Sequence, residues 1–245
     1  MICYSEFAGK VVVVSGAASG IGQAQAEAFL EQGATVIALD RQTVPEKESQ
    51  LFYQVDLSDK SQVENTAETI LKSYPHVDIL INTAGILDDY LPTLSTSEEL
   101  WMKVFQTNVT SIYRMTNLFL PQMLERKAGV IINMASIAGL IAGGGGAAYT
   151  MAKHAVVGYT KQLALDYAKD GIRVNALAPG AIKTPMNAAD FAGDGEMAKW
   201  VAKETPMNRW AEPQEVANAT LFLASEAASY LQGVVLPVDG GWMLK

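Results

Sequence analysis

Cysteine is nearly absent from this chain, with one in 245 residues. A lone thiol, Cys3, excludes an intrachain disulfide and fits a reducing interior. Histidine is almost as scarce. His76 and His154 have no Cys or His companions at ligand spacing, so no zinc site is expected. Positive charge is outweighed, with 18 Lys and Arg against 26 Asp and Glu and a formal net charge of −8. That balance argues against nucleic acid or an anionic membrane as the main partner. No apolar run approaches the ~20 residues that span a bilayer. The first six residues lack the basic and apolar regions of a signal peptide, so a cytoplasmic location is expected. No repeat, low-complexity stretch or linker divides the chain, and residues 1–245 are expected to form one domain.

What is present is a large apolar fraction, 49%, with 18% charged residues, ample for a substantial core. Short apolar, β-branched runs at 10–14, 34–39, 51–55, 77–81, 130–135, 172–178 and 234–238 read as strands. Helical periodicity falls between them, from the glycines near 20 to Gln32, over 60–73 and over 213–223. A long helical region at 97–126 is expected to bend near Asn108 and to be interrupted by Pro121. Strands alternating with helices predict an α/β fold, a doubly wound parallel sheet of about seven strands with helices on both faces.

The chemistry concentrates in residues 136–153, SIAGLIAGGGGAAYTMAK. A strand ends just before Ser136, and a helix begins after the glycines at 143–146. Tyr149 and Lys153, four residues apart, then share one helix face, which Ser136 can meet across the glycine loop. A hydroxyl, a phenol and an ammonium converging on one point suit proton transfer to or from an oxygen. Free tyrosine titrates near ~10, and bringing it to ~7 needs roughly 4 kcal/mol. One positive charge at ~4 Å contributes about that much at an effective dielectric near 20. A surface Tyr–Lys pair without function is the competing reading.

A second constellation lies at the first strand. The segment Ser15-Gly16-Ala17-Ala18-Ser19-Gly20-Ile21-Gly22 joins a strand to a helix, where glycines let backbone N–H groups approach a phosphate at the positive helix end. A tight turn that binds nothing is the alternative. Asp40 ends the second strand, about twenty residues on, where an acid accepts from adenosine ribose hydroxyls and repels a 2′-phosphate; it can also simply cap a turn. Arg41 beside it suits either a phosphate or the face of an adenine.

In these motifs the chain resembles the short-chain dehydrogenase/reductase family over nearly its full length. SGAASGIG resembles the family's T-G-x-x-x-G-I-G, NTAG at 82–85 its N-N-A-G, and Tyr149-x-x-x-Lys153 its active-site pair. Ser136 stands thirteen residues before Tyr149, Asn108 takes the place of the helix asparagine, and Pro179-Gly180 with Thr184 matches P-G-x-x-x-T. The terminal VDGG is also typical of the family. The resemblance implies Tyr149 as general acid or base, Ser136 as holder of the substrate oxygen, and Lys153 as a ribose ligand that lowers the tyrosine pKa. Asn108 would position a water linking Lys153 to solvent. It further implies that Gly16, Ser19, Gly20, Ile21 and Gly22 line the pyrophosphate and ribose, and that Asp56 and Leu57 meet the adenine. Asn82, Ala84 and Gly85 would flank the adenosine ribose; Pro179, Gly180, Ile182 and Thr184 would lie at the nicotinamide. Ser15 and Thr83 depart from the family pattern, and Thr83 is expected to weaken the local bracing of the sheet.

The implied activity is NAD(H)-dependent interconversion of a secondary alcohol and a ketone, with NADP less favoured because Asp40 faces no basic residue at position 19. The substrate would be a small alcohol or carbonyl compound. The alternatives are a 3-oxoacyl-(acyl-carrier-protein) reductase and, in a different class, a non-catalytic NAD-binding or scaffold protein. A homo-oligomer, a tetramer or else a dimer, is expected from the resemblance. Apolar helices around 115–123 and 159–165 are consistent with subunit faces or with core. Residues 184–210, rich in Met, Trp and Ala and broken by Gly193 and Gly195, are expected to form a mobile lid over the substrate.

Overall fold

β-branched runs become strands because their side chains pack well on a pleated surface. In the computed structural model, which describes residues 4–43 and 50–244, seven such runs form one sheet. They are β1 (Val11–Ser15), β2 (Thr35–Asp40), β3 (Gln50–Gln54), β4 (Ile79–Asn82), β5 (Gly129–Met134), β6 (Ile172–Pro179) and β7 (Val235–Val238). The order is β3-β2-β1-β4-β5-β6-β7 and every pairing is parallel. This is a Rossmann-like, doubly wound fold. Cys3 lies outside the described residues.

The helices are α1 (Gly20–Glu31), α2 (Lys60–Ser73), α3 (Glu98–Phe105), α4 (Ser111–Arg126), α5 (Ala147–Tyr167), α6 (Glu196–Glu204) and α7 (Pro213–Ala224). Alternation along β1 shows how the layers form. Val13 enters a core with Val63 of α2, Phe119 of α4 and Leu163 of α5. Val12 and Val14 enter the opposite core with Phe29 of α1 and Leu221 of α7. Both sheet faces are covered, which is why the strands are continuous apolar runs instead of alternating ones. No helix among the described residues is long and apolar enough to cross a membrane.

One expectation about the long helical region needs correction. Pro121 does not interrupt it, since α4 runs through the proline to Arg126. Phe119, Leu120 and Met123 are buried in the core on that turn, and their packing outweighs one missing N–H. The irregularity sits upstream, where Gln106–Thr110 forms a π-turn between α3 and α4, with Asn108 inside it. The apolar content at 115–123 is mainly core, whereas Tyr113 of α4 and Met151 and Leu165 of α5 are exposed.

Candidate active site

The strand order reverses between β1 and β4, and the carboxyl ends of the strands meet there in a cavity of about 710 Å³. Open parallel sheets take ligands at such a switch point. Six of the seven strands deliver these residues to the wall: Gly16 after β1, Asp40 at the end of β2, Asp56 and Leu57 after β3, Ala84 and Gly85 after β4, Ser136 after β5, Pro179 and Gly180 at β6. Ser19, Gly20, Ile21, Gly22, Arg41, Tyr149, Ile182 and Thr184 also line it. Asn82, Asn108 and Lys153 do not; they stand behind the wall.

The glycine-rich end has the shape that a dinucleotide phosphate requires. Gly16 has φ +72°, and a Cβ there would lie 2.9 Å from the backbone of Ala84. A Cβ on Gly22 would overlap the Gly16 carbonyl. The turn is thus as close to the helix as backbone allows, and no side chain caps the first turn of α1, whose N–H groups border the cavity. The Asp40 carboxylate braces this turn by accepting from the N–H of Ala18 at 3.0 Å and of Gln42 at 2.9 Å. Asp40 therefore holds a turn, and it also lines the cavity. Asp56 accepts from the N–H and hydroxyl of Ser58, and the Thr184 side chain packs over Gly20.

At the other end Ser136, Tyr149 and Lys153 come together. Ser136 caps a short 3-10 turn, accepting from the Ala138 N–H at 3.1 Å, and its hydroxyl stands beside the Tyr149 phenol. The Lys153 ammonium donates to the Met134 carbonyl at 2.8 Å and lies 5.5 Å from the centre of the Tyr149 ring. All three side chains are buried. Burial pushes the Tyr149 phenol up to about 12; the Ser136 hydroxyl opposes this, while Tyr90 and Asp88 add to it. Burial also pulls Lys153 down to about 8. The sequence-based expectation that Lys153 draws the phenol downward is not met in the ligand-free chain. Loss of water around both groups outweighs their mutual charge effect. At pH 7 the pair is a neutral phenol beside a largely protonated amine. That amine makes one hydrogen bond among the described residues and has two N–H groups left for a ligand hydroxyl.

Behind the wall, polar side chains hold the site in place. Asn108 accepts from the Ile86 N–H at 2.8 Å and donates to the Ile86 carbonyl at 2.9 Å. Its amide thus braces the loop after β4, and Gly85 lies against Asn108 and Lys153 without a side chain between them. Asn82 donates to Asn133, which donates to Thr160 of α5. Thr83 does not weaken the sheet as expected: its hydroxyl donates to Gln25 at 2.6 Å, and Gln25 reaches Thr220 of α7. Ser15 accepts from the N–H groups of Thr83 and Ala84. Sequence reasoning missed Asp88, which is fully buried and accepts from the N–H groups of Gly146 and Tyr149. An acid six residues past a strand carries no pattern that announces a contact sixty residues away.

Above the cavity, Pro185–Phe191 forms 3-10 turns and α6 follows. Met186, Asn187, Asp190, Met197, Trp200 and Val201 face the cavity from this side. Among the residues of the 3-10 segment and α6, Ala198 alone is buried. Trp210 anchors the far end, donating to the Ala198 carbonyl at 2.8 Å and stacking 4.9 Å from Phe191.

Comparison with known proteins gives concordant matches. Residues 16–243 match a family model described as enoyl-(acyl carrier protein) reductase. The chain is 37% identical to 3beta-hydroxysteroid dehydrogenase 2 of Eggerthella lenta, over 96% of this chain and 95% of that one. It is 36% identical to 3-oxoacyl-(acyl-carrier-protein) reductase FabG of Thermotoga maritima, over 96% and 98%. Among solved structures, ligand-free aldohexose dehydrogenase of Thermoplasma acidophilum superposes with a TM-score of 0.93 at 35% identity, covering 99% of this chain and 97% of that one.

Proposed function

The chain belongs to the short-chain dehydrogenase/reductase family of oxidoreductases, and from that premise we propose that it interconverts a secondary alcohol and a ketone with NAD(H). The observation that carries this reading is the meeting of Ser136, Tyr149 and Lys153 at the carboxyl end of β5, beside the cavity. In reduction the Tyr149 phenol gives its proton to the carbonyl oxygen, which the Ser136 hydroxyl holds. In oxidation Tyr149 acts as a base once its phenol has given up its own proton, and the phenolate takes the proton of the alcohol. Bound nicotinamide supplies or accepts the hydride. Lys153, with two N–H groups unused among the described residues, would hold the cofactor ribose, and the protonated form that dominates at pH 7 would favour release of the tyrosine proton. Asn108 holds Ile86 and Gly85 against Lys153, keeping the ammonium in place.

The cofactor residues are those of the cavity wall, from Gly16, Ser19, Gly20, Ile21 and Gly22 through Asp56 and Leu57 to Ile182 and Thr184. The family binds a nicotinamide cofactor, and Asp40 supports NAD over NADP. Its carboxylate lines the cavity, so a 2′-phosphate beside it would meet like charge. Arg41 lines the same wall and is the group that would reverse the preference.

The second reading is reduction of a 3-oxoacyl carrier-protein thioester. Similarity to the Thermotoga enzyme favours it, and the apolar side chains of Met186, Met197 and Trp200 would suit an acyl chain. Asp40, the serine at position 19 and a net charge of −8 disfavour an NADPH enzyme that docks an acidic carrier. A non-catalytic scaffold has no need of Asn108, Ser136, Tyr149 and Lys153 together. The working unit is proposed to be a homo-oligomer, a tetramer or else a dimer, with exposed Tyr113 and Leu165 on its contacting helices. NADH and NADPH screened against ketones, diols and acyl thioesters decide between the readings. Turnover of acyl thioesters alone would overturn the first.

A further inference from the structure

We propose that Asp88 is a positioning residue for proton transfer: its carboxylate ties the loop after β4 to the first turn of α5 and sets where Tyr149 stands against Ser136. The proposal rests on the alcohol–carbonyl reading above. The connection is explicit in the hydrogen bonds. One Asp88 oxygen accepts from the Gly146 N–H and the other from the Tyr149 N–H, each at 2.8 Å. Gly146 is the N-cap residue of α5 and Tyr149 its third residue, and no N-cap side chain serves this helix. A group from another part of the chain therefore caps the catalytic helix, and one of its two bonds is to the catalytic residue itself.

The surroundings are shaped to admit that carboxylate. A Cβ on Gly146 would lie 2.6 Å from the second Asp88 oxygen and 2.6 Å from the Leu91 carbonyl, so only glycine leaves room. A fully buried carboxylate is costly unless partnered, and two N–H groups at the positive end of a 21-residue helix are suitable partners. The chain after it is strained. Asp89 and Tyr90 both have φ 56°, in the left-handed region that residues with a Cβ avoid. Such strain persists where the surroundings over-determine the backbone. Here the Asp88 anchor and the turn from its carbonyl to the Leu91 N–H do so, and the result turns Tyr90 onto the cavity wall.

Asp88 also acts on the phenol through its charge. The groups facing Tyr149 are Asp88 and Tyr90 from the loop, Ser136 from the end of β5 and Lys153 from its own helix; Asp190 stands by Tyr90. Asp88 is the negative charge among the first four, and it favours the neutral phenol. Removing that charge therefore moves the loss of the tyrosine proton to lower pH. A carboxylate whose charge does not reach the phenol would leave this titration where it is.

Asp88→Asn, studied in the full-length protein with NAD(H), separates these roles. It keeps the shape, loses the charge and opposes an NH₂ group to one of the two backbone donors. The expected result is a fall in kcat of about 10–100-fold, as for misplacement of a reacting group. KM for the nucleotide stays within about twofold, since its site lies elsewhere. The acid limb of the pH profile for alcohol oxidation falls by about half a unit. Unchanged kcat and pH limb, even with lowered thermal stability, would overturn the proposal and leave the alcohol–carbonyl reading intact. If the wild-type protein turns over none of the substrates, that reading fails, and the tie is judged without turnover. Tyrosinate absorbance of each protein, less that of its Tyr149→Phe counterpart, then gives the Tyr149 titration; a downward shift in Asp88→Asn supports the proposal and no shift refutes it. Should Asp88→Asn not fold, Gly146→Ala displaces the carboxylate without removing it, and the same loss of kcat is required.

Discussion

The floor of the cavity and its roof are made differently. At the floor, Ser136 and Tyr149, with Lys153 behind them, are at most 8% exposed, and each is held by groups in or beside the central sheet. On the roof, Met186, Met197 and Trp200 are 44%, 53% and 54% exposed, and the segment that carries them buries almost nothing. Rigid elements place groups to a fraction of an ångström, which proton transfer requires; enclosing a largely apolar body requires only contact. On the proposed reading, reaction type is built into the core, and substrate choice would lie in a cover whose change leaves the core undisturbed.

Breaking the floor gives the largest expected effect. Tyr149→Phe removes the transferable proton and little else, so kcat is expected to fall about 10³-fold, within the range for general acid–base groups. Nucleotide binding, followed by quenching of tryptophan fluorescence, stays near wild type. Activity above a few per cent would show that the acid is another group.

Lys153 tests the cost of such a floor. Its amine is held at about 8 instead of 10.5, and at ~1.4 kcal/mol per unit burial costs about 3 kcal/mol. Lys153→Met loses the bond to the Met134 carbonyl, which takes back about 1–2 kcal/mol, so a net gain in stability of about 1–2 kcal/mol at pH 7 is expected from urea unfolding. Activity is lost. The sign with pH follows from proton binding. Below about pH 8 both folded and unfolded lysine carry the proton and the cost is complete. Between 8 and 10.5 the unfolded chain keeps a proton that the folded one has released, so wild-type stability rises with pH, and Lys153→Met lacks this rise. Tyr149 acts oppositely between 10 and 12, where the unfolded tyrosine ionises first and stability falls. A wild-type curve flat from pH 8 to 10 would mean that Lys153 is not desolvated.

At the glycine end the expected effect is smaller. Asp40→Ala removes the like charge that disfavours a 2′-phosphate, and the preference for NADH over NADPH in kcat/KM is expected to narrow about tenfold or more. The variant also loses two bonds that hold the turn, to Ala18 and Gln42, so both cofactors bind somewhat less well. An initial preference for NADPH would show that Arg41 governs the wall.

These contrasts explain which parts were legible in the sequence. The strands were, because a sheet covered on both faces demands unbroken runs such as Val11–Ser15. The convergence of Ser136, Tyr149 and Lys153 was also legible, because it follows from a strand end and one helical turn. Asp88 was not, because its partners lie 58 and 61 positions away. Nor was the proton affinity of Tyr149. The charge of Lys153 can be read from spacing, but the loss of water around both groups depends on packing from several elements. Pro121 misled for the same reason: local propensity suggested a break, and burial of Phe119 and Met123 kept the helix whole.

The roof offers the finest test. If residues 184–210 form a mobile lid, their amides should exchange quickly in the free protein, because few apolar contacts hold them. The backbone supports joints at both ends of the intervening loop, with Gly193 at φ +64° and Gly195 at φ +68°. The anchor at Trp210 then marks the limit of the moving part. Fast exchange is expected from 187 to 205, with slower exchange beyond the buried Thr205, whose hydroxyl donates to the Val201 carbonyl. Adding NAD(H) with a bound alcohol or ketone should slow the fast set about tenfold, as Met186, Met197 and Trp200 exchange water for ligand. The floor provides the internal standard, since Ile132 in β5 is fully buried and should be unaffected. Protection in the free protein equal to that of Ile132 would make the segment part of the core, and the distinction between floor and roof would fall with it.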